Sequence, residues 1–251
     1  MPTVLDHVLV GLITLVLPLH DLLFWFPRLA RAPSARAGRA RIHAYRESII
    51  VEWGLVALTA LLWLHYQRLW PELGFSMPGG WRFWTAAGAA AAFAGFSLWQ
   101  RQKLVNDDDP EVREAVLNQI ESLRPLLPHT ERELTHFGAI AITAGICEEI
   151  LYRGFLIWYL SLLVPMVAAV LVASLLFGFA HAYQGTRGVL QTGVVGLALG
   201  LLYVFSGSLW IPMLLHAFVD LNSGLLAHEF LRREREAPPP DPFVDPDETE
   251  V

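Results

Sequence analysis

The chain has 251 residues, of which 54% are hydrophobic and only 17% are charged, whereas charged residues make up about 25% of a typical soluble domain. Its apolar residues are gathered into long runs, a pattern that excludes an ordinary soluble globular fold. The net charge of −6 argues against nucleic acid as a partner. The single cysteine, Cys147, excludes an intramolecular disulfide and a multi-cysteine metal site.

About seven apolar segments follow one another along the chain, each close to the length that a membrane-spanning helix needs. They cover residues 4–26, 48–66, 81–99, 137–160, 162–182, 189–206 and 209–230. The sequence therefore predicts an all-α fold, a polytopic transmembrane bundle of about seven or eight helices with a buried polar site in its C-terminal half. We expect residues 1–236 to form a single integral membrane domain, with a catalytic core at about 134–230.

The first span and the connection after it predict how the chain is oriented. The leader MPTVLDHV carries Asp6 and no basic residue, so it does not resemble a cleaved signal peptide. The following connection contains six arginines and no acid before Glu47, and the positive-inside rule places such a loop in the cytoplasm. We therefore expect a multi-pass protein of the cell's inner (plasma) membrane, with its N-terminus outside and its C-terminal tail in the cytoplasm.

Two polar segments interrupt or follow the spans. Residues 106–133 begin with acids and Pro110, which favour a helix start, and apolar residues then recur at helical spacing. This pattern predicts an amphipathic helix that lies on the cytoplasmic membrane surface or packs on the bundle. The tail 237–251 is acidic and rich in proline, a composition typical of disorder.

Ionisable side chains inside a bilayer are expensive, at about 2.5–3.5 kcal/mol for Arg or Asp on insertion scales. Five such residues lie near predicted span ends, where they can reach the membrane interface: Asp6, Asp21, Glu52, His65 and Glu229. Six others lie farther inside the predicted spans, where the membrane interface is harder to reach: Glu148, Glu149, Arg153, His181, His216 and Asp220. Because buried polar groups need convergent partners, we predict that these six form one shared functional site.

Helical spacing divides the two adjacent glutamates between different roles. Glu149 and Arg153 are separated by i,i+4, which predicts an ion pair on one helix face. Glu148 points about 100° away from Glu149 around the helix axis, so it remains a free carboxylate that needs a partner from another helix. His216 and Asp220 also share a face at i,i+4.

These residue types suit hydrolysis without a covalent intermediate. A glutamate beside a neutral imidazole can take a proton from water, and a second polar pair can stabilise a developing oxyanion. The same side chains are also zinc ligands, but the H-E-x-x-H spacing is absent from the sequence. We therefore expect neither a metal nor another cofactor.

Three motifs resemble those of a known family. EEILYR (148–153) matches E-E-x-x-x-R, FGFAH (177–181) matches F-x-x-x-H, and HAFVD (216–220) matches H-x-x-x-N/D. In this order, on three membrane helices, the chain resembles the CPBP or Abi family of CAAX proteases and bacteriocin-processing enzymes, which is related to type II CAAX prenyl endopeptidases. The resemblance does not extend to the first hundred or so residues, beyond their being membrane spans.

The resemblance implies an intramembrane glutamate-type endopeptidase with defined residue roles. Glu148 and His181 would activate the hydrolytic water, and His216 and Asp220 would stabilise the oxyanion. Glu149 and Arg153 would support the site. Asp220 stands where the prenyl-protein proteases carry Asn, and an ionised Asp cannot donate a hydrogen bond. Two roles therefore stay open for Asp220, as a protonated donor or as a residue that orients His216.

Two functions of other classes are also compatible with the sequence. Intramembrane Glu, His and Asp are typical of a proton-coupled transporter, and a non-catalytic scaffold or immunity protein could retain the fold. The protease interpretation requires a water-filled cavity, which we expect to open to the cytoplasm. Its partners would be the lipid bilayer and a peptide or membrane-protein substrate, and the oligomeric state is left open.

Overall fold

The computed structural model describes residues 1–236, so the tail predicted for 237–251 lies outside the described residues. Within them the chain forms eight helices and no strand. In chain order these are α1 (Val4–Ala30), α2 (Ser34–His65), α3 (Trp81–Val105), α4 (Pro110–Ile120), α5 (131–161), α6 (Met166–Ala180), α7 (Gly185–Ser206) and α8 (Trp210–Glu236).

A helix covers each of the seven predicted spans, and α4 is the eighth, so the predicted all-α helical membrane bundle is confirmed. By length and composition, α1, α2, α7 (with the short turn before it) and α8 can each cross a membrane. The apolar helix α6 has 15 residues, which rise about 22 Å, whereas a hydrocarbon core is about 30 Å thick. Other parts of the protein must therefore span the remaining thickness of the hydrocarbon core at the ends of α6.

The arginine-rich connection is mostly helix, contrary to the prediction of a loop. α1 ends at Ala30 and α2 already begins at Ser34, because Ala and Arg are strong helix formers and Pro33 stands just before the first turn. Arg41 is buried and donates to Glu133 of α5 at 2.9 and 3.3 Å. This part of α2 is therefore a packed element of the bundle.

α5 lies at the centre of the bundle, with extensive contacts to α2 and α8. Residues 149–156 within it form wider, π-helical turns in which every side chain is buried. Such turns are rare and occur frequently at functional sites. The main apolar core surrounds them and includes Trp63, Phe155, Leu156, Phe177 and Leu209.

Small residues bring neighbouring helices close to α5. Gly145 faces the backbone of Ala217 on α8 so closely that a Cβ there would clash. Gly196 of α7 leaves room for Phe177 of α6 and for the Arg153 guanidinium. These approaches, which are typical of membrane helix packing, bring the polar side chains of α5, α6 and α8 within reach of one another.

The predicted amphipathic helix is present as α4, and it packs on the bundle. Asp109 caps it by accepting a hydrogen bond from the Glu111 amide at 2.9 Å. Its apolar side, continued by the turn that follows, contacts the last turns of α8, through Leu117, Ile120, Leu123, Leu127, Ala227 and Leu231. Of the two placements that the sequence allowed, contact with the bundle is the one observed.

Candidate active site

The four side chains predicted to be catalytic line one cavity of about 340 Å³. Glu148 comes from α5 and His181 from the residue that follows α6, while His216 and Asp220 come from α8. The structure thus brings together residues that are as many as 72 positions apart, since 220 − 148 = 72. This volume is within the range of roughly 300–1,000 Å³ that is typical of ligand pockets.

The expected pair between Glu149 and Arg153 is present, with Nη1 of the arginine 2.7 Å from Oε1 of the glutamate. The guanidinium also donates to the Gly196 carbonyl at 3.2 Å and lies 4.2 Å from the ring centroid of Phe177. Both charged side chains are essentially inaccessible to solvent. The second hydrogen bond of the guanidinium helps to offset the cost of burying this ion pair, while Oε2 of Glu149 has no hydrogen-bond partner among residues 1–236.

Glu149 has a second partner that the sequence did not reveal. Its Oε1 lies 2.8 Å from Nδ1 of His216, and since a carboxylate can only accept, Nδ1 carries the proton. The other ring nitrogen, Nε2, lies 3.6 Å from Oδ2 of Asp220 and 3.8 Å from Oε2 of Glu148. Glu149 therefore fixes the orientation of His216, so that Nε2 faces the two remaining carboxylates.

His181 lines the same cavity and packs next to the Phe177 ring. Its Nδ1 lies 2.9 Å from the Phe177 carbonyl oxygen, so this nitrogen is the donor and Nε2 is an unprotonated acceptor when the ring is neutral. The centroid of Phe177 is 4.9 Å from that of His181 and 6.0 Å from that of His216. Both histidines therefore pack near the same aromatic ring.

Glu148 makes no direct contact with His181, although the family resemblance pairs them. Among residues 1–236 its Oε2 atom is buried and has no hydrogen-bond partner, and the nearest histidine nitrogen is Nε2 of His216 at 3.8 Å. Glu148 and His181 instead line the same space. A bridging water or a substrate group would connect them.

A second cavity, of about 420 Å³, adjoins the first and extends between α1, α2 and α5. Six residues line both cavities, so they mark the junction: Trp25, Ser48, Glu52, Glu148, His181 and Tyr183. The second cavity also contains Asp21. Glu148 therefore lies where two spaces of similar size meet.

Glu52 was expected to reach the membrane interface, and that expectation is wrong. Because α2 begins at Ser34, Glu52 lies near the middle of the helix instead of near its start. Its Oε2 atom is buried without a hydrogen-bond partner among the described residues, and it faces both cavities. Placing the start of α2 at Ser34 would have put Glu52 in the middle of a helix and so identified it as a candidate site residue.

Asp6 lies in the first turn of α1, near the predicted span end, and its charge is paired inside the protein. It is fully buried, and both its oxygens accept from Arg68, at 2.6 and 2.8 Å. The guanidinium lies over the rings of Trp63, Tyr66 and Trp158. This cluster ties the start of α1 to the end of α2.

Cys147 is fully buried, as a small hydrophobe would be. In the part of the chain that the structure describes, no three His, Cys, Asp or Glu side chains are grouped so that they could hold a metal ion. The donors at hand are instead arranged as hydrogen-bonding and proton-accepting groups around open space. Such an arrangement suits acid–base chemistry on a bound water.

Comparison with known proteins places the motifs within one family. Residues 130–222 match the family model described as Type II CAAX prenyl endopeptidase Rce1-like. This segment contains all three motifs, and the first 129 residues lie outside it. No curated protein and no solved structure matches the chain. The resemblance predicted from the motifs is therefore confirmed for residues 130–222, the segment that carries the Rce1-like match.

Proposed function

We propose that the chain is an intramembrane endopeptidase that hydrolyses a peptide bond with a water activated by Glu148 and His181. The observation that carries the proposal is the shared cavity, where Glu148, His181, His216 and Asp220 converge from three helices. The unpartnered carboxylate oxygen of Glu148 is a ready proton acceptor there. The Rce1-like domain supports the same class of reaction.

The first step is attack by water. A water between Glu148 and His181 would donate one hydrogen bond to the Glu148 carboxylate and one to Nε2 of His181. As the water oxygen bonds to the carbonyl carbon of the substrate, its proton passes to Glu148. The carbonyl double-bond electrons move onto oxygen, which becomes the oxyanion of a tetrahedral intermediate.

The second step needs a donor for that oxyanion and a proton for the leaving amine. The carboxylates around His216 stabilise positive charge on its ring, so that Nε2 carries a proton to donate to the oxyanion. When the carbon–nitrogen bond breaks, the protonated Glu148 returns its proton to the amine nitrogen, and the carboxylate is regenerated. Of the two roles left open for Asp220, its place 3.6 Å from Nε2 favours orienting His216.

Access to the site is proposed from the cytoplasm. The larger cavity reaches Arg28, in the last turn of α1, and Glu47, which pairs with Arg28 from α2. The smaller one reaches Leu123 and Leu127, in the segment before α5. Both lie on the side that the positive-inside rule assigns to the cytoplasm. The proposed orientation therefore has the N-terminus outside and the site open to the inside of a plasma membrane.

The proposed substrate is a peptide segment or membrane protein, and the family extends this to CAAX-type processing. The deciding experiment compares the membrane proteome of the native host carrying the wild-type chain with one carrying Glu148→Gln. We expect cleavage products to vanish and uncut precursors to accumulate in the variant. Glu72→Gln, which changes an exposed carboxylate in the short 3-10 turn between α2 and α3, is the control and should behave as wild type.

Two results would contradict the proposal. One is an unchanged set of cleavage products in the Glu148→Gln and His181→Ala strains. The other is proton flux in proteoliposomes made from purified protein that hydrolyses none of the precursors, which would favour the transporter.

A further inference from the structure

Glu52 is a charged side chain with a buried carboxylate oxygen, and neither the hydrolysis mechanism nor an ion pair among the described residues uses it. It lies on α2, outside the segment that matches the family model. Among residues 1–236 it forms no ion pair, and its buried Oε2 accepts no hydrogen bond. An uncompensated carboxylate inside a membrane protein is costly. A group that arrives from elsewhere and supplies the missing positive charge would offset that cost.

The charges around the larger cavity show that its own cations are already engaged. Arg28 donates to Glu47 at 2.9 Å, at an exposed position. His20 lies 3.0 Å from Asp21. His181 is committed through Nδ1 to the Phe177 carbonyl. The cavity is thus lined by four carboxylates and one guanidinium, the carboxylates being Asp21, Glu47, Glu52 and Glu148. Its excess of negative charge favours a cationic occupant.

Aromatic rings line the same space as the unpartnered carboxylate. Trp25 and Tyr183 line both cavities together with Glu52, and their ring centroids are 6.1 Å apart. Aromatic faces attract an ammonium or guanidinium, and the attraction strengthens when water is excluded. A carboxylate next to such rings is the chemistry that recognises a lysine or arginine side chain.

We propose that Glu52, with Trp25 and Tyr183, forms a subsite that binds a lysine or arginine side chain of the peptide substrate. The inference rests on the proposed peptidase function and assigns a specificity to the same site. Because Glu52 and Glu148 both face both cavities, a side chain bound at Glu52 places its own backbone beside Glu148. The basic residue therefore lies close to the bond that is cut.

The test measures binding separately from cleavage. Full-length His181→Ala protein, which should bind without cutting, is titrated with two fluorescein-labelled peptides that carry a leucine-rich apolar segment. One has a lysine after that segment and the other has norleucine, its uncharged analogue. We expect the lysine peptide to bind at least about tenfold more tightly. Adding Glu52→Gln should remove this preference and leave norleucine binding unchanged, whereas Glu72→Gln should alter neither.

Equal affinity for the two peptides, or absence of binding by both, overturns the subsite. So does an equal loss for both peptides in Glu52→Gln, since a proton-sharing or structural role would act on both alike. If Glu52→Gln does not fold, an acetyl-lysine peptide tested on the His181→Ala protein alone replaces it, and it should bind as weakly as norleucine. If the preference for lysine holds but the wild-type chain cuts neither peptide, hydrolysis fails and the subsite stands.

Discussion

α5 carries charged side chains toward two sets of neighbouring helices, and the two groups of side chains differ in their hydrogen-bond partners. Toward α7 and α8, Oε1 of Glu149 accepts from Arg153 and His216, while its Oε2 has no hydrogen-bond partner among residues 1–236, and Arg153 donates onward to the Gly196 carbonyl. Toward α1 and α2, the carboxylates of Glu148 and Glu52 face open cavities with buried oxygen atoms that lack hydrogen-bond partners. Hydrogen bonds from two cationic side chains hold the Glu149 carboxylate in place, whereas a carboxylate that accepts from no cation is free to act on water or substrate.

The interface between α2 and α5 does contain a complete ion pair elsewhere. Nearer the start of α5, Glu133 accepts from Arg41 and from the backbone amide of His129. The missing partners at Glu148 and Glu52 are therefore a local property of the site. They do not reflect a general shortage of cations between these helices.

The largest effect is expected on the cleavage rate, when Glu148 is changed and the adjacent Glu149 is kept. Glu148→Gln removes the proton acceptor and should lower the rate of cleavage by about 10²–10⁴-fold. Its thermal stability should stay at or slightly above that of the wild type, because Oε2 of Glu148 accepts no hydrogen bond and Nε2 of His216 is 3.8 Å away. Single-turnover cleavage and thermal unfolding in detergent measure the two effects. A Glu148→Gln protein that cleaves at the wild-type rate would remove the distinction between the two glutamates.

In the network around Glu149, Arg153→Met should lower the stability of the fold. The substitution leaves Glu149 buried without its guanidinium, and breaking such a pair costs about 3–5 kcal/mol. The double variant with Glu149→Gln should recover part of this loss, because neither charge is then stranded. Denaturant unfolding of the single and double variants forms the cycle that tests this. A single variant as stable as the wild type would show that the pair contributes nothing to the framework.

A third effect concerns how closely α8 approaches α5. A methyl group at Gly145 would press on the backbone of Ala217, next to His216, so Gly145→Ala should cost about 1–3 kcal/mol by overpacking. It should also slow cleavage by moving His216 away from Glu149. Gly138→Ala is the matched control on the same helix, because its methyl group would make an ordinary contact with Leu221 at 3.6 Å. Equal activity and stability of the two variants would contradict this account.

Local patterns predicted much of the fold and some of the site. Apolar runs were enough for the helices, and i,i+4 spacing was enough for Glu149 with Arg153, because both depend on residues close in the chain. The bond from Glu149 to His216 joins positions on two helices, and no spacing rule reaches across helices. Glu52 was assigned to a span end because hydropathy places the start of that span at residue 48. The helix itself starts earlier, at Ser34.

The smallest effect tests the ion pair that completes the α2–α5 interface, away from the cavities. Burial alone would raise the pKa of Glu133, but hydrogen bonds from Arg41 and from the His129 amide outweigh it, so the pKa lies below its ordinary value. A depressed pKa stabilises the fold above the unfolded-state value of about 4.3 and loses this contribution as the pH falls through the folded-state value. Glu133→Gln should therefore cost about 1 kcal/mol at neutral pH, as charged hydrogen bonds become neutral ones. The difference in unfolding temperature between wild type and variant should shrink on acidification. A constant difference from pH 7 to pH 3 would show that the charge of Glu133 is not what holds the two helices together.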